Sequence, residues 1–250
     1  MGQQLLRTRL ESVQNVGKER RRRVGGLTLL LGVLILWLAL PRVFASALLA
    51  MRDPVIERMV AGERVSEAEL LGLMASRELA LSWVEDREIH NERGTALTSL
   101  AFEQTKDAAG MAMLEGAVDA IRAGLAVAPA DPKDWMQLGY LQVLLEGDIT
   151  REAAQAFLFS IRTGAFQDPD FLRRRLFWTL AHWTFYDAGE RRRIGEHIRV
   201  AWRVAPGALA DLALYDPKFL ATTASALEED PTAHRQFVAA LAFATPLRQP

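Results

Sequence analysis

The chain has 250 residues, of which 50% are hydrophobic, and it contains no cysteine. This length is sufficient for one or two packed domains, and a chain without cysteine can form neither disulfides nor thiolate metal sites. The formal net charge of −1 conceals an asymmetry, because residues 1–50 carry eight basic and two acidic residues while residues 51–250 carry 22 basic and 29 acidic ones; the acidic body argues against general binding of nucleic acid.

The front of the chain joins a basic cluster to an uncharged apolar segment, Val24–Leu40. As a helix, this segment reaches about 26 Å at 1.5 Å per residue, and residues 41–50 can extend it across a bilayer. Arg42 would then snorkel to the far interface, close to Trp37. We therefore predict a transmembrane anchor whose membrane-contacting residues include Arg20, Arg21, Arg22, Arg23, Trp37 and Arg42.

The basic cluster also predicts the orientation of the anchor. Positive charge favours the cytoplasmic side, so residues 1–23 form a basic cytoplasmic tail and residues 24–50 cross the bacterial inner membrane once. The body after residue 50 is then periplasmic. Two alternatives remain open: Ala45–Ala47 is a small-residue pattern typical of signal-peptide cleavage, and a very apolar helix can also lie in a soluble core. Residues 5–13 suit either a short amphipathic helix or a frayed tail.

Asp-Pro pairs mark the starts of helices throughout the body. The aspartate accepts amide hydrogens of a first helical turn, and the proline loses no needed hydrogen bond. Ser66 and Glu69 form a capping-box pattern. Strand-like alternation is not found. We predict an all-α body, with a long early helix that breaks near Asn91–Gly94. The helices are expected near residues 54–61, 66–104, 111–128, 132–146, 150–164, 169–187, 190–204, 207–214, 217–228 and 231–243.

One stretch of the body has the spacing of a helical repeat. Trp135, Leu138 and Gly139 lie on one predicted helix, and Ala153 and Phe157 lie on the next. Parts of the same spacing occur before and after it, at Ala117, Ile121, Gly124, Pro129, Ile198, Ala201 and Pro206. The stretch resembles a tetratricopeptide repeat, which implies an array of helix hairpins in which small residues let paired helices approach closely.

The resemblance covers only part of the chain. It is good over residues 111–164 and weak over residues 169–206, and Gln142 stands where the pattern expects tyrosine. The fold expected is therefore a transmembrane helix followed by an irregular solenoid of hairpins. Within the body we expect a helical stalk or hairpin over residues 51–110 and a helical domain similar to tetratricopeptide repeats over residues 111–250.

Residues with catalytic or metal-binding chemistry are sparse. The four histidines, His90, His182, His197 and His234, are widely separated, and the sequence contains no HExxH pattern, nucleophile elbow or phosphate-binding loop. We predict a protein that is not an enzyme and that holds no cofactor or metal. Each histidine is expected to be a packed or surface residue.

The segment 171–193 is unusually rich in aromatic residues flanked by arginines. Aromatic rings beside guanidinium groups hold sugars and uronates or anchor a partner protein. The alternative is that the aromatic residues form core between helices and the arginines a solvated rim. The candidate contacts with a partner or glycan are Arg173, Arg174, Arg175, Trp178, His182, Trp183 and Tyr186.

The layout predicts a membrane-anchored scaffold or adaptor, since a tethered array of helices offers a large surface to partners that share its membrane. Segments such as residues 197–214 resemble accessory proteins of bacterial exopolysaccharide synthesis and export, which implies a role in polysaccharide assembly. The expected partners are membrane or periplasmic proteins, the bilayer through residues 24–50, and polysaccharide, but not nucleic acid. A factor for cytochrome c maturation or cell division, and a carbohydrate-active enzyme or glycan-binding module, are the alternatives.

Overall fold

The body is an array of short helices. A computed structural model describes residues 28–50, 53–103, 108–164 and 168–244, and every regular element within these ranges is helical, which confirms the predicted all-α class. The α-helices are α1 (Thr28–Ala50), α2 (Asp53–Val60), α3 (Glu67–Leu81), α4 (Arg87–Glu103), α5 (Ala108–Val127), α6 (Pro132–Glu146), α7 (Arg151–Thr163), α8 (Pro169–Ala181), α9 (Ala188–Val204), α10 (Pro206–Ala213), α11 (Pro217–Leu227) and α12 (Pro231–Ala244).

Helix α1 is long and apolar enough to cross a membrane. Only 6% of its most apolar stretch is buried, and Trp37 is 72% exposed. A core helix of a soluble protein is mostly buried, so this exposure disfavours the core-helix alternative. Arg42 is exposed on the same helix. The predicted contacts Arg20–Arg23 and the amphipathic pattern at residues 5–13 lie outside the described residues.

Local capping signals set many of the helix starts. Ser66 and Glu69 form the expected reciprocal capping box at α3. The aspartate of an Asp-Pro pair accepts backbone N–H groups of the following turn in four places, at Asp131, Asp168, Asp216 and Asp230. These hydrogen bonds satisfy N–H donors that the first turn of a helix leaves unpaired. The Asp-Pro pair in the sequence therefore marks where each of these helices begins.

The predicted long helix over residues 66–104 is wrong in where it breaks. The chain leaves α3 at Ser82 and enters α4 at Arg87. Asp86 accepts hydrogen bonds from the backbone N–H groups of Glu88 and Ile89, at 2.8 and 3.4 Å, and so caps the new helix. Gly94, near the predicted break, lies inside α4.

The predicted helix over residues 169–187 is also wrong in extent. Helix α8 ends at Ala181, and a separate 3₁₀ turn follows over Trp183–Phe185. Asp187 and Glu190 then form a capping box that starts α9 two residues before the predicted helix. The aromatic residues of segment 171–193 therefore lie on α8, on the 3₁₀ turn and, for Tyr186, in the link before α9, rather than on one helix.

Two helix pairs, α4–α5 and α6–α7, share one packing plan. Gly94 and Gly139 are each the eighth residue of their helix, since α4 begins at Arg87 and α6 at Pro132. A Cβ atom at Gly94 would lie 2.8 Å from Ile121 Cδ1, and one at Gly139 would lie 2.9 Å from the Phe157 ring. Each glycine thus admits a large side chain from the partner helix, and the two helices approach closely.

The shared plan extends along the second helices. Gly139 also faces the carbonyl of Ala153, and Gly94 faces that of Ala117, at 3.1 and 3.4 Å from the ideal Cβ positions. Ala117 and Ile121 on α5 precede Ala153 and Phe157 on α7 by 36 residues. Of the other residues proposed for repeat packing, Gly124 and Leu138 are buried, Trp135 stacks on Phe159 at 4.7 Å, and Ile198 and Ala201 belong to the C-terminal core.

The hydrophobic core runs in consecutive sections along the array. One section lies between α2, α3 and α4, a second between α4, α5, α6 and α7, and a third, larger one unites α7 to α12. The boundary expected at residue 110 falls inside α5, which packs extensively on α4. Helices on both sides of that boundary therefore contribute to one core section.

Candidate functional site

Three depressions that share lining residues lie along α2, α4, α6 and α8, and together they are called the first-helix groove. The base depression, of about 580 Å³, lies between α1, α2 and α4, and the middle one, of about 770 Å³, lies between α2, α4 and α6. The distal one, of about 600 Å³, lies between α6 and α8. Neighbouring depressions share lining residues: Ile56, Glu88 and Glu92 at one junction, and Lys133 and Gln137 at the other.

The base depression is acidic. Glu57, Asp86, Glu88 and Glu92 line it, with Arg42 of α1 at its edge. Glu92 is paired with Arg77 of α3, so the carboxylates of Glu57, Asp86 and Glu88 against the guanidinium of Arg42 give this end of the groove its excess negative charge, which attracts cationic side chains.

The middle depression contains a polar network that joins α4 to α6. Asp134 is 1% exposed and accepts a hydrogen bond of 2.5 Å from Asn91 Nδ2, while Arg87 lies 3.3 Å from it. Asn91 also donates to Gln137 at 3.1 Å, and Gln137 donates to Thr95 at 3.2 Å. The floor of the groove is thus fixed by side chains from two neighbouring hairpins.

The electrostatics of Asp134 are unusual for a carboxylate. Burial raises its pKa, the nearby charge of Asp131 raises it further, and the guanidinium of Arg87 opposes both effects. A buried carboxylate with a raised pKa in a cleft is characteristic of functional sites, although ion-pair networks that only join helices share this property. Here the network makes both a structural joint and the floor of the groove.

The distal depression combines aromatic rings with two cations. Tyr140 and Trp178 meet edge to face, with ring centroids 5.6 Å apart, and Trp178 stacks on Phe157 at 5.8 Å. Phe157 is the ring that fills the space left by Gly139. Lys133, Phe171 and Arg174 complete the lining, with Met136, Gln137 and Asp168. This surface offers stacking area and positive charge, which suit an apolar or anionic group.

The structure divides the predicted partner contacts into two groups. Arg174 and Trp178 line the distal depression, Arg173 is exposed beside Asp170, and Trp183 is half-buried under the guanidinium of Arg191. The other three lie inside the body: Arg175, His182 and Tyr186. Their burial removes them from the surface: Arg175 faces α7 and α9, and Tyr186, which follows the 3₁₀ turn, donates its hydroxyl to the Ala154 carbonyl of α7 at 3.0 Å.

Arg175 illustrates this internal role. Its guanidinium donates to the carbonyls of Ser160, at 2.9 Å, and Gly164 at the end of α7, and it lies 2.8 Å from His197 Nε2. Burial lowers the pKa of Arg175 to about 10, and burial together with the adjacent cation lowers the pKa of His197 to about 3. A neutral imidazole therefore accepts from a cationic arginine, and the arrangement holds α7, α8 and α9 together.

His182 is fully buried at the end of α8. Its Nδ1 lies 2.7 Å from the carbonyl of Trp178, and its ring packs edge to face on Phe157 at 5.0 Å. Within the part of the chain that the structure describes, its Nε2 makes no hydrogen bond. Burial lowers the pKa of His182. This environment suits a packed histidine.

Several residues that line the groove were not predicted from the sequence. Asn91, Thr95 and Ser99 on α4, and Lys133, Gln137 and Tyr140 on α6, line the groove. The available signal was their spacing of three or four residues, which places polar side chains on one stripe of a helix. Comparison of the chain with models of protein families, with curated proteins and with solved structures gives no match.

Proposed function

We propose that this protein is a non-enzymatic scaffold or adaptor, anchored by α1 in a bacterial inner membrane and carrying its helical body on the periplasmic side. The support for an anchor is the exposed apolar surface of α1 and the basic residues that precede it. Ala45 supports an uncleaved anchor, because it is 3% exposed inside a helix packed on α3 and α4 rather than in an accessible extended segment.

The observation that carries the proposal is the first-helix groove. It begins at the C-terminal part of α1 and ends at Trp178. The end near α1 is acidic, and the distal end carries aromatic rings and positive charge. An extended segment of a partner fits such a groove. Its basic residues would lie near Glu57 and Glu88, and its aromatic or acidic residues would lie near Arg174.

The body is proposed to be an irregular relative of tetratricopeptide arrays. The common plan of α4–α5 and α6–α7 supports this proposal, with Gly94 and Gly139 at equivalent positions. The third pair departs from it, because α9 packs on α10 and α11 as well as on α8. The groove is therefore built from α1 and α2, from the regular part of the array and from α8.

The partners proposed are membrane or periplasmic proteins that assemble or export envelope polysaccharide. A second candidate, a glycan-binding module, is favoured by the distal depression, where Tyr140 and Trp178 lie beside Lys133 and Arg174. Aromatic faces stack on sugar rings, and the cations pair with uronate carboxylates. The two candidates place different ligands on the same surface.

Charge reversal in the distal depression tests the role of the groove. Lys133→Glu and Arg174→Glu, combined in the full chain, remove its positive charge. The matched control is Arg122→Glu on α5, whose side chain is 58% exposed outside these three depressions. After cross-linking in native membranes, we expect the groove variant to recover at least several-fold less of its partner than the wild type, and the control to recover the same amount.

Equal recovery by the folded groove variant and the control would reject the groove as the binding surface. Binding of purified chain to an acidic polysaccharide, measured by titration calorimetry, separates the two ligand candidates. Saturable heat that disappears in the groove variant supports the glycan, and a cross-linked protein that survives glycanase treatment supports the scaffold.

A further inference from the structure

The end of α1 is packed on the body rather than connected to it by a free linker. Ala45 joins Ala80 and Ile89 in one buried cluster, to which Leu48 and Leu49 add partly buried side chains. Phe44 stacks on Trp83, with ring centroids 5.2 Å apart. The last two turns of α1 thus belong to the folded body.

A buried arginine strengthens this junction. Arg77 of α3 has a side chain with 0% exposure, donates to the carbonyl of Leu49 at 3.2 Å, and forms an ion pair of 2.5 Å with Glu92 of α4. The last carbonyls of a helix lack intrahelical partners and carry the negative end of its dipole, so a guanidinium is favoured there. Arg77 therefore connects α1, α3 and α4.

The junction fixes which part of the body is nearest the membrane. Arg42 marks the polar end of the apolar stretch of α1, and the packed contacts start only two residues later, at Phe44. At 1.5 Å per residue this separation is about 3 Å along the helix. The corner between α3 and α4 must therefore lie at the level where α1 leaves the hydrocarbon.

That corner carries apolar side chains that the body does not cover. Leu79 is 51% exposed, Trp83 one turn later is 45% exposed, and Val43 and Phe44 on the adjoining turn of α1 are 65% and 48% exposed. These four residues form the membrane-proximal patch. It is continuous with the apolar surface of α1, and tryptophan, whose ring is amphipathic, is enriched at such a lipid–water boundary.

Acidic neighbours limit how deep the patch can lie. Glu78 precedes Leu79 and Glu85 follows Trp83, and both are exposed. Carboxylates are costly in hydrocarbon but are tolerated among headgroups. The patch therefore suits the interfacial layer and not the bilayer core.

We infer that the membrane-proximal patch inserts into the interfacial layer of the same membrane that α1 spans, on the side of the body. This inference rests on the proposed anchor. It means that α1 and the patch together hold the body at a fixed orientation. The acidic end of the first-helix groove then opens directly above the lipid, where Arg42 lines it.

Spin labels on single cysteines test the inference in the full chain, which has no cysteine of its own. The test position is Leu79→Cys, and the matched control is Val238→Cys on α12, because both side chains are 51% exposed. Ile35→Cys, 59% exposed within the apolar stretch of α1, reports the anchor itself. Each labelled protein is reconstituted into vesicles of phosphatidylcholine and phosphatidylglycerol, and collision rates with oxygen and with a neutral nickel chelate are measured.

Oxygen concentrates in lipid and the nickel chelate in water, so their ratio reports the position of each label. We expect the ratio at position 79 to be several-fold higher than at position 238 and lower than at position 35. A ratio at 79 equal to that at 238 would overturn the inference, as would a label shielded from both reagents by protein. If position 35 itself reports water, the proposed anchor fails; lipid at 35 with water at 79 rejects only the patch.

Discussion

In the helix pairs α4–α5 and α6–α7 a glycine lets the two helices pack closely. Helix α8 is instead joined to its neighbours by hydrogen bonds from the buried guanidinium of Arg175. Gly94 and Gly139 let helices meet through apolar side chains, and the contact has no charge to compensate. Arg175 instead satisfies two carbonyls at the end of α7 and one imidazole of α9. The first arrangement depends on volume and the second on hydrogen bonding, so the two regions should respond differently to substitution and to pH.

The largest expected effect is the loss of Arg175. In Arg175→Ala the carbonyls of Ser160 and Gly164 and the ring of His197 lose their shared donor, and a cavity remains. Unsatisfied buried groups cost about 1–3 kcal/mol each, and a partly collapsed cavity adds to this, so we expect unfolding free energy to fall by about 4 kcal/mol. Urea unfolding of the full chain in detergent, followed by circular dichroism, measures it.

The adjacent Arg174 provides the control for that measurement. Its side chain is exposed in the groove, so Arg174→Ala should change the unfolding free energy by less than about 0.5 kcal/mol. Similar losses in the two alanine variants would contradict the internal role of Arg175.

The second-largest expected effect is a loss of folding stability at acid pH, which His197 causes. Its pKa is about 3 in the folded protein and about 6.5 in an unfolded chain. The unfolded chain therefore binds the additional proton, so stability is complete above about pH 6.5 and falls towards pH 3, by up to about 1.4 kcal/mol per unit. His182, whose pKa is also lowered by burial, acts in the same direction.

His197→Gln separates the two histidines. The amide oxygen can still accept from Arg175 but does not titrate, so urea unfolding between pH 7 and pH 4 should depend less steeply on pH than in the wild type. His182→Gln should retain the His197 contribution. An unchanged pH dependence in His197→Gln would contradict the neutral imidazole.

The third prediction compares the loss of stability when alanine replaces each of the two glycines. A Cβ at Gly139 meets the Phe157 ring at 2.9 Å and a backbone oxygen at 3.1 Å, and neither can move freely. Gly139→Ala should therefore lose about 2 kcal/mol, even though alanine favours a helix by about 1 kcal/mol over glycine.

At Gly94 the nearest atom is the flexible tip of Ile121, at 2.8 Å, and the backbone oxygen is 3.4 Å away. Rotation of that side chain relieves the contact, so Gly94→Ala should lie within about 1 kcal/mol of the wild type. Thermal unfolding of both variants checks the order. A larger loss at Gly94 would mean that the α4–α5 pair is the more rigid one.

These two glycines also show how much of the helix packing could be predicted from the sequence. The repeat spacing placed Gly139 at a close approach, whereas the stretch Asn91–Gly94 predicted a break in the helix. The reason that it does not is Ile121, which lies on another helix and is invisible to local patterns. Helix type and capping follow from neighbours in sequence, whereas a glycine inside a helix depends on what packs against it.

The residues of the candidate site, too, could be predicted only in part. Arg174 and Trp178 belong to a segment of unusual composition and line the groove, whereas Arg175 differs from Arg174 only in the side of α8 that it occupies. Asp134 and Asn91 have no distinctive local pattern. They become one network only when α4 and α6 pack side by side, and this neighbour relation is not encoded in either segment alone.

The smallest expected effect concerns the aspartate that precedes a proline at a helix start. Such an aspartate caps α6 and α8, and another caps α11. Asp216 accepts a hydrogen bond of 2.7 Å from the Lys218 N–H at the start of α11. Asp216→Ala should lose about 1 kcal/mol, and Asp216→Asn should lose less than half of that, because an amide oxygen still accepts the bond. Thermal unfolding measures both. Equal losses in the two variants would mean that charge, rather than the hydrogen bond, stabilises the helix start, and that capping in the C-terminal region depends on the helix dipole.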